Sequence, residues 1–291
     1  MFATLRDASS EQVQVELEHC RNINRKPVRV PRKHRAHFSE TLFETSNGLA
    51  MQVFSAEPWR DSERVIVYLH GGACIYQPVF FHWRFVYDLA LRTHCRVVMP
   101  IYPKYPDYHC VDDIATLMDF YERFVMPMNA SRVVLMGDSF GGNVAMSMTQ
   151  EIAKRNLQPV TALVLMSPCV DNAFTRRDAM VALQPIDVMI KLERIEHIMG
   201  GWQGELSPTH PWVSPIYGDL KVFPDRTLLI YGSDEILKVD AELLMEKMKE
   251  VGRPIQALEY RGMFHTFPLF PVKEGFDALR KMTAFINGTP L

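Results

Sequence analysis

Two rhythms of apolar residues alternate along the chain. Six short runs are nearly continuous in Val, Ile and Leu: "RVIVYL" (64–69), "CRVVMPIY" (95–102), "SRVVLMG" (131–137), "TALVLMS" (161–167), "RTLLIYG" (226–232) and "IQALEY" (255–260). Such runs suit strands covered on both faces, as in a parallel sheet. Between them the apolar spacing turns helical. Ile114, Leu117, Met118, Tyr121 and Val125 share one side of a helix over 112–125, and Val272, Phe276, Leu279, Met282 and Ile286 do so over 272–286. A further helix over 238–251 is stopped by Gly252. The alternation predicts an α/β fold with a mostly parallel central sheet flanked by helices.

Two segments stand outside the alternation. One is a helix near 10–22. The other is an insert at about 170–215, whose "DVMIKLERIEHIMGGW" lines Val188, Leu192, Ile195 and Met199 along one helical face. Additions near the carboxyl ends of strands cover the ligand crevice of such sheets. The expectation is a single domain over 1–291, with a helical cap contributed by about 1–40 and about 170–215. Met180, Leu183, Ile186, Met189, Trp202 and Trp212 read first as packing of that cap and second as the wall of an apolar pocket.

Composition narrows the function classes. The 291 residues are 47 % hydrophobic and 23 % charged, with formal net charge −2, which gives no general attraction for nucleic acid. The one basic stretch, "RKPVRVPRKHR" (25–35), reads as a solvated connection kept extended by its prolines. No apolar leader opens the chain and no run of roughly 18 uncharged apolar residues occurs, so neither a signal peptide nor a membrane span is expected. Five widely spaced cysteines without C-x-x-C fit reduced thiols in the cytoplasm rather than disulfides or a metal site.

The chemistry concentrates in "SRVVLMGDSFGG" (131–142). A strand, a tight glycine turn and a helix with Val144, Ala145, Met148 and Ile152 form the context of a nucleophile elbow, with Ser139 at its apex. A phosphate-binding turn needs no serine there, and the full G-x-G-x-x-G spacing is absent. A nucleophilic serine requires donors for an oxyanion. "HGGA" (70–73) follows a strand and matches the H-G-G-G loop of lipases and esterases, with Ala73 replacing the third glycine. The expected donors are the N–H groups of Gly71, Gly72 and Phe140, and His70 is expected to hold the loop rather than act as a base. The base is expected to be His265, in a loop between the last strand and the last helix. His210, inside the insert, is the other histidine that follows Ser139 in a plausible place; the remaining ones, His82 among them, read as ordinary. The acid comes from "GSDEILKVDAE" (232–242), where Asp234, Glu235 and Asp240 compete.

Together these motifs resemble the hormone-sensitive-lipase-like group of α/β-hydrolases, in particular the bacterial carboxylesterases. The resemblance runs from about residue 40 to the C-terminus. It rests on "HGGA", on "GDSFGGN" against G-D-S-A-G-G-N, on "GMFHTF" against G-x-x-H-x-F, on "YPKYPDY" in place of Y-R-L-A-P-E, and on "SPCVD". It implies the α/β-hydrolase fold and hydrolysis of short-chain acyl esters through an acyl-enzyme on Ser139, without cofactor or metal. The group's acid-x-L-x-x-Asp pattern fits Glu235 as the triad acid, as does the separation from His265, with Asp234 as runner-up. An amidase or arylformamidase-like activity on the same triad is the alternative, followed by a catalytically silent ligand-binding protein. The implied partner is a small-molecule ester. An exposed edge strand is where two copies would pair. Phe140 stands where the group has Ala, and its side chain is left without an assigned place.

Overall fold

All six apolar runs become strands of one sheet. The computed structural model describes residues 10–290, so the first nine residues of the expected cap lie outside it. The strands are β1 (Phe38–Glu44), β2 (Ala50–Ala56), β3 (Arg64–Leu69), β4 (Arg96–Pro100), β5 (Arg132–Asp138), β6 (Ala162–Met166), β7 (Thr227–Gly232) and β8 (Gln256–Tyr260). Their order across the sheet is β1-β2-β4-β3-β5-β6-β7-β8. β2 runs antiparallel to both its neighbours, and the strands from β4 to β8 are parallel.

The continuous apolar runs follow from this burial. In β3, Val65, Val67 and Leu69 enter the core on one face while Ile66 and Tyr68 enter the core on the other. In β5, Val133 and Leu135 divide from Val134 and Met136 in the same way. The first face is covered by α3 (Cys110–Phe120), α4 (Phe140–Lys154) and α7 (Lys238–Glu250), and the second by α2 (Phe80–Thr93) and α8 (Lys273–Asn287). With both faces covered, no position in these strands is required to be polar.

Several details differ from expectation. The β1–β2 hairpin and α2 lie outside the expected elements, although Trp83, Val86, Leu89 and Ala90 of α2 fall at helical spacing and are buried. The helix expected over 112–125 ends at Phe120, and a π-helical turn carries Tyr121–Val125. Phe276 on α8 is half exposed, whereas Leu279, Met282 and Ile286 are buried.

The insert between β6 and β7 contains α5 (Arg177–Leu183) and α6 (Leu192–Trp202). Val188, expected on the α6 face, lies before the helix and is 77 % exposed. The reason is Asp187, whose Oδ1 accepts from the N–H groups of Met189 and Ile190, both at 2.8 Å, and so holds a turn there instead of a helix. α1 (Ser10–Asn24) joins α6 through the Glu16–Arg194 ion pair and the Gln14–His197 contact. Residues 25–37 form an irregular connection in which Lys26, Arg29, Arg32, Lys33 and Arg35 are exposed, while Arg25 binds Asp107 at 2.9 Å.

Candidate active site

Four adjacent parallel strands, β5 to β8, lead at their carboxyl ends into one cluster of polar side chains. β5 ends in Asp138, and Ser139 follows at φ 52° and ψ −121° immediately before α4. A non-glycine residue in this region is strained and persists only where its surroundings fix it. Backbone packing fixes it here. A Cβ on Gly137 would lie 2.2 Å from the Gly141 carbonyl oxygen, and one on Gly141 would lie 1.9 Å from that of Leu69. The turn closes this tightly because those two positions lack side chains.

His265 reaches Ser139 from the loop after β8. Its Nε2 lies 2.9 Å from Ser139 Oγ, and its Nδ1 lies 2.5 Å from Glu235 Oε2. With Nδ1–H donating to the carboxylate, Nε2 is left to accept the serine proton. Glu235 is fully buried. Its Oε1 accepts from Ser167 Oγ at 2.7 Å and from the Gly232 N–H at 2.8 Å. Burial depresses the His265 pKa, but the Glu235 hydrogen bond and charge outweigh it, so the imidazole titrates above its ordinary value.

The two competing carboxylates are engaged elsewhere. Asp234 accepts from Ser233 Oγ at 2.5 Å, and its N–H donates to the Met263 carbonyl. Asp240 is buried, pushed up to about 7 by burial, and accepts from the N–H of Val170 at 2.6 Å. Of the three candidates, Glu235 is the one placed on the imidazole.

The glycine loop follows β3 and lies against Asp138. One expectation fails there. The Gly71 N–H donates to Asp138 Oδ1 at 2.9 Å and is therefore not free for an oxyanion. Tyr68 OH donates to the same oxygen at 2.6 Å, and His82 Nε2–H donates to Oδ2 at 3.3 Å. The His82 tautomer follows from its Nδ1, which accepts the Val79 N–H at 3.0 Å. Burial alone would raise the Asp138 pKa, but His82, Tyr68 and Gly71 hold it below the usual carboxylate range. Among the described residues no acceptor takes the N–H groups of Gly72, Ala73 or Phe140. The free donors are therefore shifted one residue along the loop from the expected pair. His70 does hold the loop. Its Nδ1–H donates to the Gly71 carbonyl at 2.7 Å, and burial keeps the ring neutral by driving its pKa well down. Tyr102 stacks on that ring and donates its OH to the His70 carbonyl at 2.5 Å.

Sequence reading passed over Asp138, His82, Ser167, Tyr68 and Tyr102. Ser167 joins the site by a double role, since its Oγ donates to Glu235 and accepts the Thr266 N–H at 3.2 Å, tying the acid loop to the base loop. Asp138, Ser167 and Tyr102 stand in the motifs "GDSFGGN", "SPCVD" and "YPKYPDY", so their positions carried a signal. His82 and Tyr68 carried none, because only the fold brings them to Asp138. Phe140 is 1 % exposed and packs between Tyr102 and Trp202. Chemically, the constellation offers a serine under a hydrogen-bonded imidazole, a buried carboxylate behind it, and free N–H groups from two sides.

A family model described as the alpha/beta hydrolase fold matches residues 66–269. An esterase of Acinetobacter venetianus is 28 % identical over 239 residues, covering 78 % of this chain and 76 % of that protein. An acetyl-hydrolase of Streptomyces hygroscopicus is 29 % identical over 244 residues, covering 79 % and 77 %. The crystal structure of a "putative esterase" from Staphylococcus aureus superposes with TM-score 0.88 at 27 % identity, covering 96 % of this chain and 93 % of that one. The family match covers well over half of the sequence and includes Ser139, Glu235 and His265, and the chain belongs to the α/β-hydrolase-fold family.

Proposed function

We propose that this protein is a serine carboxylesterase that hydrolyses short-chain acyl esters through an acyl-enzyme. The observation that carries the proposal is the continuous hydrogen-bonded relay from Glu235 through His265 to a strained Ser139, at 2.5 and 2.9 Å. Ser139 Oγ attacks the ester carbonyl as His265 Nε2 takes its proton. Glu235 keeps the proton on Nδ1 and stabilises the imidazolium. The N–H groups of Gly72, Ala73 and Phe140 receive the oxyanion. His265 returns the proton to the departing alcohol, then activates water to cleave the acyl-enzyme. The insert carrying α5 and α6, together with α1, acts as the cap over this site. The names of the Acinetobacter and Streptomyces relatives favour an ester bond, and the acetyl-hydrolase among them favours a small acyl group.

Hydrolysis of p-nitrophenyl acetate, butyrate and octanoate by wild type and Ser139→Ala tests this. The expected result is turnover of the two short esters, little of octanoate, and a loss of at least ~10⁴-fold in Ser139→Ala. Undiminished activity in that variant would overturn the mechanism. Faster cleavage of the matching p-nitroanilides would move the activity to amides.

A further inference from the structure

Phe140 lends the proposed chemistry only its backbone N–H, yet its ring is among the largest fully buried side chains of the described residues. It meets Trp202 edge-to-face, with centroids 4.8 Å apart and planes at 88°. On its other side lies Tyr102, at 6.2 Å, the residue that holds the His70 carbonyl of the glycine loop. Trp202 is the last residue of α6 and is fully buried. Its Nε1–H donates to Asp113 Oδ2 on α3 at 2.8 Å, and Asp113 is itself fully buried. Earlier in α6, Arg194 donates to the OH of Tyr76, three residues beyond the glycine loop. Trp202 is thus fastened to the body of the molecule by one atom and presses on Phe140 with its ring.

This placement matters because Phe140 is the first residue of α4. An N–H in the first turn has no partner within the helix, so no helical hydrogen bond fixes its aim. Packing of the side chain on the same residue does. Edge-to-face aromatic pairs are directional, and so they hold angle as well as distance.

We propose that Trp202 is a positioning residue of the oxyanion hole, acting through the Phe140 ring to aim the Phe140 N–H. The inference rests on the acyl-transfer function proposed above. It makes the insert between β6 and β7 part of the transition-state machinery as well as a cover. A ring that merely lined the acyl pocket would instead change KM and chain-length preference.

The test is a double-mutant cycle with Phe140→Ala, Trp202→Ala and the double variant. For each, kcat and KM on p-nitrophenyl acetate are measured, together with the affinity of a trifluoromethyl ketone, which forms a tetrahedral adduct on the serine. Each single variant is expected to lose roughly tenfold in kcat with KM within about twofold, since displaced donors act mainly on the transition state. Ketone affinity is expected to fall in parallel, and the double variant to be no worse than the weaker single one. Additive losses, a raised KM with kcat retained, or unchanged kinetics would overturn the proposal. If an alanine variant fails to fold by circular dichroism, Phe140→Leu and Trp202→Phe, which refill most of the volume, carry the same cycle. Wild type that cleaves no ester removes the proposed function and the positioning role together. Active wild type with unaffected Phe140 and Trp202 variants removes only the latter.

Discussion

The turn from β5 into α4 and the turn from β7 into α7 both deliver a proposed catalytic side chain from a strand end, but different forces hold them. At the first, glycines place backbone against backbone so closely that a single added Cβ at Gly141 would lie 1.9 Å from the Leu69 oxygen. Ser139 is fixed by sterics. At the second, Glu235 is fixed by hydrogen bonds from Ser167, Gly232 and His265, and the next N–H, of Ile236, donates to Asp187 Oδ2 of the insert at 2.8 Å. Sterics of the first kind resist any side chain added there. A hydrogen-bonded carboxylate depends instead on the identity of its partners, and its loss is expected to cost activity before it costs fold.

The largest effect expected from this contrast is functional. Glu235→Gln is expected to lose roughly 10⁴-fold in kcat by disturbing the imidazole tautomer, with melting temperature little changed, while Asp234→Asn stays within about twofold. Steady-state kinetics beside thermal denaturation measure both, and loss in Asp234→Asn with retention in Glu235→Gln would reverse the assignment. The sign of the pH response is also set. His265 must be neutral to accept the serine proton, and its pKa is raised above 6.5. The wild-type kcat/KM is therefore expected to rise with pH through a midpoint above 6.5. In Glu235→Gln, burial acts without its main opponent, and an imidazole titration by NMR is expected to fall below that of wild type.

Next comes the steric turn. Gly141→Ala drives a Cβ into the Leu69 backbone and is expected to cost more than ~3 kcal/mol or to prevent folding, measured by chemical denaturation. A soluble Gly141→Ala variant of native stability would show that the turn can relax. The smallest effect belongs to Ser167→Ala, which removes one of three hydrogen bonds to Glu235. A cost of about 1 kcal/mol in stability and severalfold in kcat is expected, and a 10³-fold loss would instead make Ser167 a member of the relay.

The same contrast explains what was legible in the chain. Sterics are written locally, so "GDSFGG" announced Ser139 and its elbow, and two-sided burial announced the six core strands. His265 was legible from its loop between the last strand and the last helix. The acid was not, because three carboxylates in one loop are separated only by partners that arrive from β6 and from the base loop. Only the resemblance to a known pattern favoured Glu235. The donor assignment failed for a similar reason: Gly71 is taken by Asp138, a partner 67 residues away. The β1–β2 hairpin was missed because its edge strand β1 exposes Glu40, Thr41 and Leu42 in succession and so carries no continuous apolar run, and the α6 start was misplaced because the Asp187 turn competes with the helix.

The position of β8 has a consequence for how the molecule comes to life. β8 is an edge strand, paired only with β7, and it leads into the loop that carries His265. Synthesis runs from the N-terminus, so Ser139, the glycine loop and Glu235 are all translated before His265, the proposed base. A nascent chain halted just after Glu235 holds the proposed nucleophile without the proposed base. On the proposed mechanism the relay is complete only once β8 pairs with β7, three strands and roughly 14 Å from β5, and the loop that follows it brings His265 to Ser139.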